Sequence, residues 1–147
     1  MGTITECELC ADPGGDLLWN DAACRVVRVA GADGVAFPGF CRVVWNRHVA
    51  EMSMLAKSEI EHVMDVVLAT ERALRRVVRP DKINLASFGN VVPHLHWHVI
   101  PRWKDDSHFP APIWGTAQRA GAVRAVPTNA DLLQALEAEL STVNETP

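Results

Sequence analysis

The sequence predicts an α+β domain with a mainly antiparallel sheet, and two observations lead to this prediction. Three short strands, one long amphipathic helix, two further strands and a closing helix follow one another along the 147 residues. Strands that are grouped in this way, and do not alternate with helices, are typical of α+β domains. Hydrophobic residues make up 48% of the chain and charged residues 22%, so residues 1–147 are expected to form a single domain with a substantial core.

The first three strands are separated by turn-forming residues. Pro13, Gly14 and Gly15 predict a turn before the strand "LLWN", and a second turn at Asn20–Asp21 separates it from the strand "CRVVRVA". The glycines and the proline of "GADGVAFPG", residues 31–39, predict a loop, after which "FCRVVW" is the third strand.

The spacing of the apolar residues changes after the third strand. Ser58 and Glu61 fit a capping box at the start of a helix, and Pro80 marks its end. Apolar residues at intervals of mostly three or four predict that this helix is amphipathic: Ile60, Val63, Met64, Val67, Leu74 and Val78.

Two further strands and a helix complete the prediction. "INLAS", residues 83–87, is the fourth strand, and "HLHWHVI", residues 94–100, is the fifth. The prolines between residues 103 and 115 predict irregular structure. The closing helix is "DLLQALEAEL", and the preceding Pro127 and Thr128 are residues that favour a helix start.

Three of the six histidines lie in the fifth predicted strand, within "PHLHWHVIP". Side chains alternate along a strand, so His94, His96 and His98 are expected to share one face while the apolar residues between them face the core. Three interpretations are open at this point. The row is a solvated strand face without chemistry, a pair of ligands for Zn²⁺, or a nucleophile with neighbours that orient it and handle protons.

Composition and the first residues of the sequence limit which binding partners and which cellular compartment are expected. A net charge of −4 argues against a general nucleic-acid binder, although a local pocket of amides and imidazoles can still bind phosphate. "MGTITECELC" has no basic region and no apolar run, so no secretory signal is predicted. No apolar stretch approaches the roughly 18 residues of a membrane span. We therefore expect a cytoplasmic protein with reduced thiols and no membrane partner.

The cysteines fall into two classes. Cys7 and Cys10 form a Cys-x-x-Cys, which is half of a tetrahedral zinc site. The alternative is that they are two reduced cysteines in a terminal loop. Cys24 and Cys41 fall on predicted strands, where small buried hydrophobic residues are expected.

The chain resembles the histidine triad (HIT) family. "HLHWHVI" is similar to the family signature of three histidines separated by single apolar residues and followed by two more apolar residues. "LLWNDAACRVVRV" resembles the first hairpin of the family, "PGFCRVVWNRHV" its glycine-containing strand, "NLASFGNVVPH" the loop before the triad and "IPR" the segment after it. The resemblance covers about residues 7–103, and residues 104–147 form a C-terminal loop and helix. Within that tail, "HFPAPIWG" resembles a bacterial branch of diadenosine polyphosphate hydrolases.

The resemblance implies a HIT-like five-stranded antiparallel sheet with one long central helix and a C-terminal helix, assembled as a homodimer. It also implies hydrolysis or transfer of a nucleotide through a covalent nucleotidyl-histidine, most simply from a dinucleoside polyphosphate such as diadenosine tetraphosphate. His96 would attack the α-phosphorus, His98 would contact phosphate and supply a proton, and His94 would position the loop or bind a metal. No cofactor is implied for this chemistry.

The resemblance implies two further groups of residues. Amide donors before the triad would bind the phosphoryl oxygens, although Gly89 and Asn90 also fit a simple turn: Asn84, Gly89 and Asn90. Some relatives complete the Cys-x-x-Cys with two histidines to form a closed structural zinc site, which here would comprise Cys7, Cys10, His48 and His94.

Two of the chain's departures from the family pattern bear on its activity. Val91 stands where many members have a serine or threonine beside the leaving group. Val29 and Ala30 stand near the place of an acidic or amide residue that holds the ribose, and Asp33 would serve only after a loop shift. These departures leave open a catalytically weak nucleotide-binding sensor. The histidine row leaves open a metal-dependent hydrolase that uses His94 and His96 as ligands.

Two residues after the triad are further candidates. Arg102 follows the fifth strand, where it is either a phosphate neighbour or a surface charge. Trp114 lies in a loop flanked by proline and glycine, so it is expected to cover a nucleobase or a dimer partner.

Overall fold

Five strands and four α-helices make up the described part of the chain, residues 6–143 of this computed structural model. A short 3₁₀ helix, Met52–Met54, precedes the longest helix. The helices are α1 Glu8–Ala11, α2 Gly31–Ala36, α3 Lys57–Val77 and α4 Asn129–Val143. The strands are β1 Asp16–Asn20, β2 Cys24–Arg28, β3 Cys41–Trp45, β4 Lys82–Ala86 and β5 His96–Arg102.

The strands form one sheet in the order β1-β2-β3-β5-β4, and each neighbouring pair is antiparallel. The predicted α+β class, the five-stranded antiparallel sheet, the long helix and the C-terminal helix are thereby confirmed. The pairing of β3 with β5 places Arg42 opposite His98 and Val44 opposite His96. Paired residues point to the same face of a sheet, so these four side chains share one face.

The other face of the sheet carries the main core. Val43 and Val99 point to that face and pack in one cluster with buried residues of both long helices, including Val67 of α3 and Leu136 of α4. The two helices also contact each other through Glu139, whose carboxylate accepts hydrogen bonds from two arginines of α3 at 2.9 Å each. The apolar residues that alternate along the strands and those that recur at helical spacing in α3 therefore pack in the same core.

The start of α3 differs from the predicted capping box of Ser58 and Glu61. The helix begins at Lys57, and the carboxylate of Glu59 accepts a hydrogen bond from the N–H of Ala56 at 2.8 Å. The helix starts earlier than the serine suggests because Glu59 is the acid that reaches the free N–H groups of the first turn. At the start of α4, the hydroxyl of Thr128 accepts from the N–H of Asp131 at 3.0 Å, as expected of a capping threonine.

Short helices occupy two segments for which the sequence predicts no helix. Residues 31–39 contain α2 instead of a continuous loop, and the Cys-x-x-Cys segment contains α1. α1 packs on the face of the sheet opposite α3, where Leu9 contacts Val27 and Val44. No helix within residues 6–143 combines the length and the apolar composition that a membrane span requires.

Candidate active site

A cavity of about 920 Å³ lies on the face of the sheet that α3 and α4 leave free. This volume is within the usual range for small-molecule sites. Its wall is built from α1 and the following turn, β3, the loop before β5, β5 itself and one tryptophan of the C-terminal segment. The lining residues are Glu8, Leu9, Ala11, Asp12, Gly14, Arg42, Phe88, Gly89, Asn90, Val91, Val92, His96, His98 and Trp114.

His96 presents one defined nitrogen for chemistry. Its Nδ1–H donates a hydrogen bond to the carbonyl of His94 at 2.6 Å, so the other ring nitrogen, Nε2, carries the lone pair. Burial lowers the pKa of His96, and the charge of Arg42 acts in the same direction, against the hydrogen bond to His94. The imidazole is therefore neutral at physiological pH, the form in which it is a nucleophile.

His98 is enclosed by rings and lies beside His96. Its ring centroid is 4.9 Å from those of His96 and Trp114 and 5.8 Å from that of Phe40. Burial lowers its pKa to about 3, and the neighbouring His96 and Arg42 act in the same direction. Its Nδ1 is buried without a hydrogen-bond partner among the described residues, which favours the tautomer that carries the proton on Nε2. His98 is thus a neutral donor.

His94 lies just before the strand that carries the other two histidines of the row. β5 begins at His96, and His94 is not among the residues that line the cavity. Because Cys7 packs against Val27 and Val44 on the cavity face and the His94 ring contacts Cys7, His94 lies on the same side of the sheet as His96 and His98. Its Nε2–H donates to the carbonyl of Trp45, which leaves the lone pair on Nδ1. That lone pair faces the sulfur atoms of Cys7 and Cys10.

Cys7, Cys10, His48 and His94 form a cluster with the dimensions of a zinc site. Nδ1 of His94 is 3.4 Å from the sulfur of Cys7, 3.5 Å from that of Cys10 and 3.3 Å from Nδ1 of His48. The sulfur of Cys10 is 3.4 Å from Nδ1 of His48. Tetrahedral Zn²⁺, with Zn–N of about 2.0 Å and Zn–S of about 2.3 Å, holds its ligand atoms roughly 3.3–3.8 Å apart. The four predicted ligands therefore fit this metal.

A second cluster of potential ligands lies at the start of β2. Asp21 accepts a hydrogen bond from Nε2 of His62 at 2.7 Å and faces the thiol of Cys24. Cys24 is fully buried, and burial raises the pKa of its thiol to about 12. A protonated thiol is a poor metal ligand, so the contact between Asp21 and His62 is a link between the turn and α3.

Two of the three predicted phosphate-binding residues line the cavity, and the third does not. Gly89 and Asn90 line the cavity, and the left-handed φ of 70° at Gly89 is a conformation that favours glycine. Asn84 lies on β4 and does not line the cavity. Its side-chain oxygen accepts a hydrogen bond from Arg102 at 2.8 Å. Val91, at the position of the missing hydroxyl, lines the cavity with its side chain 92% exposed.

Arg102 is neither a phosphate neighbour nor a surface charge. It is 1% exposed and forms a two-pronged ion pair with Asp106, which is 2% exposed, at 2.9 and 3.1 Å. Burial alone would raise the pKa of Asp106, but hydrogen bonds from Arg102 and from the N–H groups of Trp103, His108 and Phe109 lower it to about 2. The ion pair of Arg102 and Asp106 organises the segment after β5, for which the sequence predicts only irregular structure.

The same segment places an aromatic wall beside His98. Trp114 contacts the ring of Phe88 edge-on, with the ring centroids 4.9 Å apart, and Trp114 itself is 49% exposed. Arg102 holds the segment by donating to the carbonyl of Ala111 at 2.7 Å. The exposed indole is available to stack on a ligand in the cavity, as the sequence suggests.

The acidic residues of the cavity are not those that the sequence indicates. Asp33 lies on α2 and is exposed, Val29 is buried in a second small core, and neither lines the cavity. Glu8 and Asp12, from α1 and the following turn, do line it. Glu8 and Asp12 could not be predicted from the sequence, because residues 7–15 reach the cavity only through tertiary contacts with the sheet.

Comparisons with known proteins agree on one family. The family model described as HIT domain matches residues 25–105, more than half of the 147-residue chain. A curated relative, the AP-4-A phosphorylase of Mycobacterium tuberculosis, is 33% identical over 85 residues, which cover 54% of this chain and 44% of the relative. The chain therefore spans less than half the length of the curated relatives that it matches.

Solved structures show the same fold. A histidine triad protein from Bradyrhizobium japonicum is 26% identical, with a TM-score of 0.66 over 85% of this chain and 91% of that chain. A Zn-bound histidine triad family protein from Mycobacterium smegmatis is 18% identical, with a TM-score of 0.58 over 97% of this chain and 99% of that chain.

Proposed function

Because the chain belongs to the HIT domain family, we propose that it transfers a nucleotidyl group from a phosphoanhydride or a related bond to His96 and then to an acceptor. A dinucleoside polyphosphate such as diadenosine tetraphosphate is the proposed substrate. One observation carries the proposal: the hydrogen bond from Nδ1–H of His96 to the carbonyl of His94, at 2.6 Å, which leaves Nε2 as the nucleophilic nitrogen of a cavity-lining imidazole.

The proposed reaction has two steps. Nε2 of His96 attacks the α-phosphorus, a P–N bond forms, and the bond from phosphorus to the leaving oxygen breaks. The leaving group takes the electron pair of that bond. An acceptor oxygen then attacks the same phosphorus and the P–N bond breaks, which regenerates neutral His96. Water as acceptor gives a nucleoside monophosphate, and inorganic phosphate gives a nucleoside diphosphate.

Fixed donors support the phosphoryl group in both steps. His98, Asn90 and Gly89 all line the cavity, so Nε2–H of His98, the amide of Asn90 and the backbone at Gly89 are available as donors. Donors that are already oriented stabilise the charge that develops on the phosphoryl oxygens without reorganisation during the reaction. The neutral state of His98 favours a role as hydrogen-bond donor in the free protein.

The structure does not favour the metal-hydrolase alternative. Within residues 6–143, neither of the two clusters of three or more potential metal ligands includes His96 or His98. We propose that the Cys7, Cys10, His48 and His94 cluster holds a structural zinc, with four protein ligands and no open position for a substrate. Its residues would fix α1 against the loop before β5, and the carbonyl of His94 would in turn orient His96.

The alternative of a catalytically weak sensor is favoured by one observation, which is the exposed Val91 at the position of the leaving-group hydroxyl. A sensor would bind nucleotides in the same cavity and show no turnover. The homodimer remains a prediction from the family resemblance.

The function is tested by turnover of diadenosine tetraphosphate and other nucleotidyl substrates, with water alone and with inorganic phosphate as acceptor. Phosphate is included because the Mycobacterium tuberculosis relative is named a phosphorylase. His96→Ala should reduce kcat by more than about 10³-fold, since loss of a nucleophile removes the covalent route. His62→Ala, a change on α3 outside the cavity, is the control. Equal activity of the two variants would disprove the proposal.

A further inference from the structure

Arg42 is part of the cavity wall and lies next to the two histidines on the sheet. It is paired with His98 across β3 and β5, and its side chain shares the face of His96 and His98. Among the residues that line the cavity it is the only arginine or lysine. It alternates with the buried Cys41 and Val43, so it is a single basic residue within an otherwise apolar strand.

The guanidinium of Arg42 is held by one hydrogen bond, but its Nε–H has no acceptor among the described residues. Its Nη1–H donates to the carbonyl of Gly14 at 3.0 Å, and its charge lies 5.8 Å from the ring centre of Phe40. Its Nε is buried and has no hydrogen-bond partner among the described residues. A buried donor of a charged group without an acceptor is costly, and such groups in native proteins call for a partner.

We propose that Arg42 is the anion-binding residue of this cavity and contacts the phosphate oxygens of the nucleotide that His96 attacks. The inference rests on the proposed function and specifies how that site recognises its substrate. Nε–H and the neighbouring Nη2–H form one edge of the guanidinium, and this edge matches two oxygens of a phosphate group. Nε is covered in the ligand-free protein, so the side chain has to rotate slightly about the bond from Nη1–H to Gly14 before this edge takes the ligand.

The negative charges of the cavity wall make the positive charge of Arg42 necessary for binding a polyphosphate. The chain carries a net charge of −4, and Glu8 and Asp12 contribute two carboxylates to the same cavity wall. A polyphosphate chain entering this cavity needs a local positive charge to offset those carboxylates. The Arg42 guanidinium supplies that charge next to both histidines, where the phosphoryl group is transferred.

The test measures binding instead of turnover. Calorimetric titration of adenosine, AMP, ATP and inorganic tripolyphosphate is carried out with the wild type, Arg42→Gln, Arg42→Lys and the control Arg28→Gln. Arg28 lies on the neighbouring strand, is bonded to Asn129 at 2.8 Å and does not line the cavity. Thermal melting confirms that each variant is folded.

Arg42→Gln should weaken ATP and tripolyphosphate binding by about 10- to 100-fold, the usual effect of losing a hydrogen bond to a charged group, and should leave adenosine binding unchanged. Arg42→Lys should recover part of the loss, because it keeps the charge without the two-pronged edge. Binding that depends on Arg42 supports the inference even in a protein that shows no turnover, so failure of the proposed function is seen separately.

Three results would overturn the inference. The first is a folded Arg42→Gln protein that binds ATP and tripolyphosphate as the wild type does. The second is an equal loss for adenosine and ATP, which would mean that Arg42 only holds the turn at Gly14. The third is a wild-type protein that binds neither tripolyphosphate nor any phosphorylated nucleotide.

Discussion

At the scale of single residues, one backbone carbonyl determines the chemistry of the site. The carbonyl of His94 accepts a hydrogen bond from Nδ1–H of His96, while the side chain of His94 faces two cysteine sulfurs. His94 thus belongs to the metal-type cluster through its ring and contacts the proposed nucleophile through its backbone. Arg42 contributes the only arginine or lysine side chain of the cavity wall. The imidazoles of His96 and His98 are kept neutral by burial, which lowers the pKa of both.

Val91 allows a test of how the leaving group obtains its proton. A polyphosphate leaves readily as an anion, whereas an amine does not, so phosphoramidate substrates should be cleaved less efficiently than dinucleoside polyphosphates. Val91→Ser should raise kcat/KM for phosphoramidates more than for polyphosphates. Val91 is 92% exposed, so the change leaves no cavity in the core. The control is Val123→Ser, at a residue that is 99% exposed and outside the cavity. An unchanged ratio of the two kcat/KM values would show that another group supplies the proton.

At the scale of elements, two short segments complete a site that the sheet alone would leave open. α1 packs over β2 and β3 through Leu9, and Cys7, just before α1, joins Cys10 of α1 in the metal-type cluster. The segment after β5 is organised around Asp106 and brings Trp114 to His98. Neither segment has a long regular element, so hydrogen bonds supplement the small apolar contacts of Leu9 and Ile113.

The cluster on α1 predicts bound zinc. Protein purified without a histidine tag should contain about one zinc per chain, in accordance with four protein ligands. Cys10→Ser should lose the metal and lower the melting temperature, because metal binding contributes to folding. Cys24→Ala, which removes a buried thiol outside this cluster, should keep the zinc. Wild-type protein that is free of metal, with a melting temperature unaffected by chelators, would contradict this prediction.

The buried ion pair between Arg102 and Asp106 predicts a large loss of stability when the carboxylate is removed. Asp106→Asn should lower the free energy of unfolding by about 3–5 kcal/mol, because it leaves the buried charge of Arg102 without its partner. Asp105→Asn, which affects an ion pair at a carboxylate that is 60% exposed, should cost about 0–1 kcal/mol. Denaturant unfolding of both variants measures the difference.

The sign of the pH effect follows from the lowered pKa of Asp106. Its pKa in the folded protein is about 2, compared with about 3.9 for an unfolded carboxyl group. The ionised carboxylate therefore stabilises the fold fully above about pH 4, and this contribution is lost as the pH falls toward 2. Asp106→Asn should have a flatter profile over this interval. Parallel profiles for wild type and variant would show that Asp106 does not titrate as described.

At the scale of the whole molecule, the two faces of one sheet have different roles. One face packs against α3 and α4 and forms the main core, and the other carries the cavity. Much of this division could be predicted, since strand alternation and helical spacing are local properties of the sequence. The placement of His96 and His98 on one face follows from that alternation.

Other features depend on contacts between distant residues and could not be predicted. The ring of His94 bonds to Trp45 and faces two cysteines instead of lining the cavity. The position of Arg42 requires the register between β3 and β5. The buried state of Arg102 requires Asp106 and Asn84 as partners, although an isolated arginine after a strand resembles a surface charge.

The central claim is that His96 becomes covalently nucleotidylated. The direct measurement is intact-protein mass spectrometry after rapid alkaline quenching of a reaction with diadenosine tetraphosphate, followed by peptide mapping. We expect one nucleotidyl group on His96, removed by brief acid treatment because the P–N bond is acid-labile, and no such group in His96→Ala. Persistence of both the modification and turnover in His96→Ala, or turnover by the wild type with no modification at any time point, would contradict the claim.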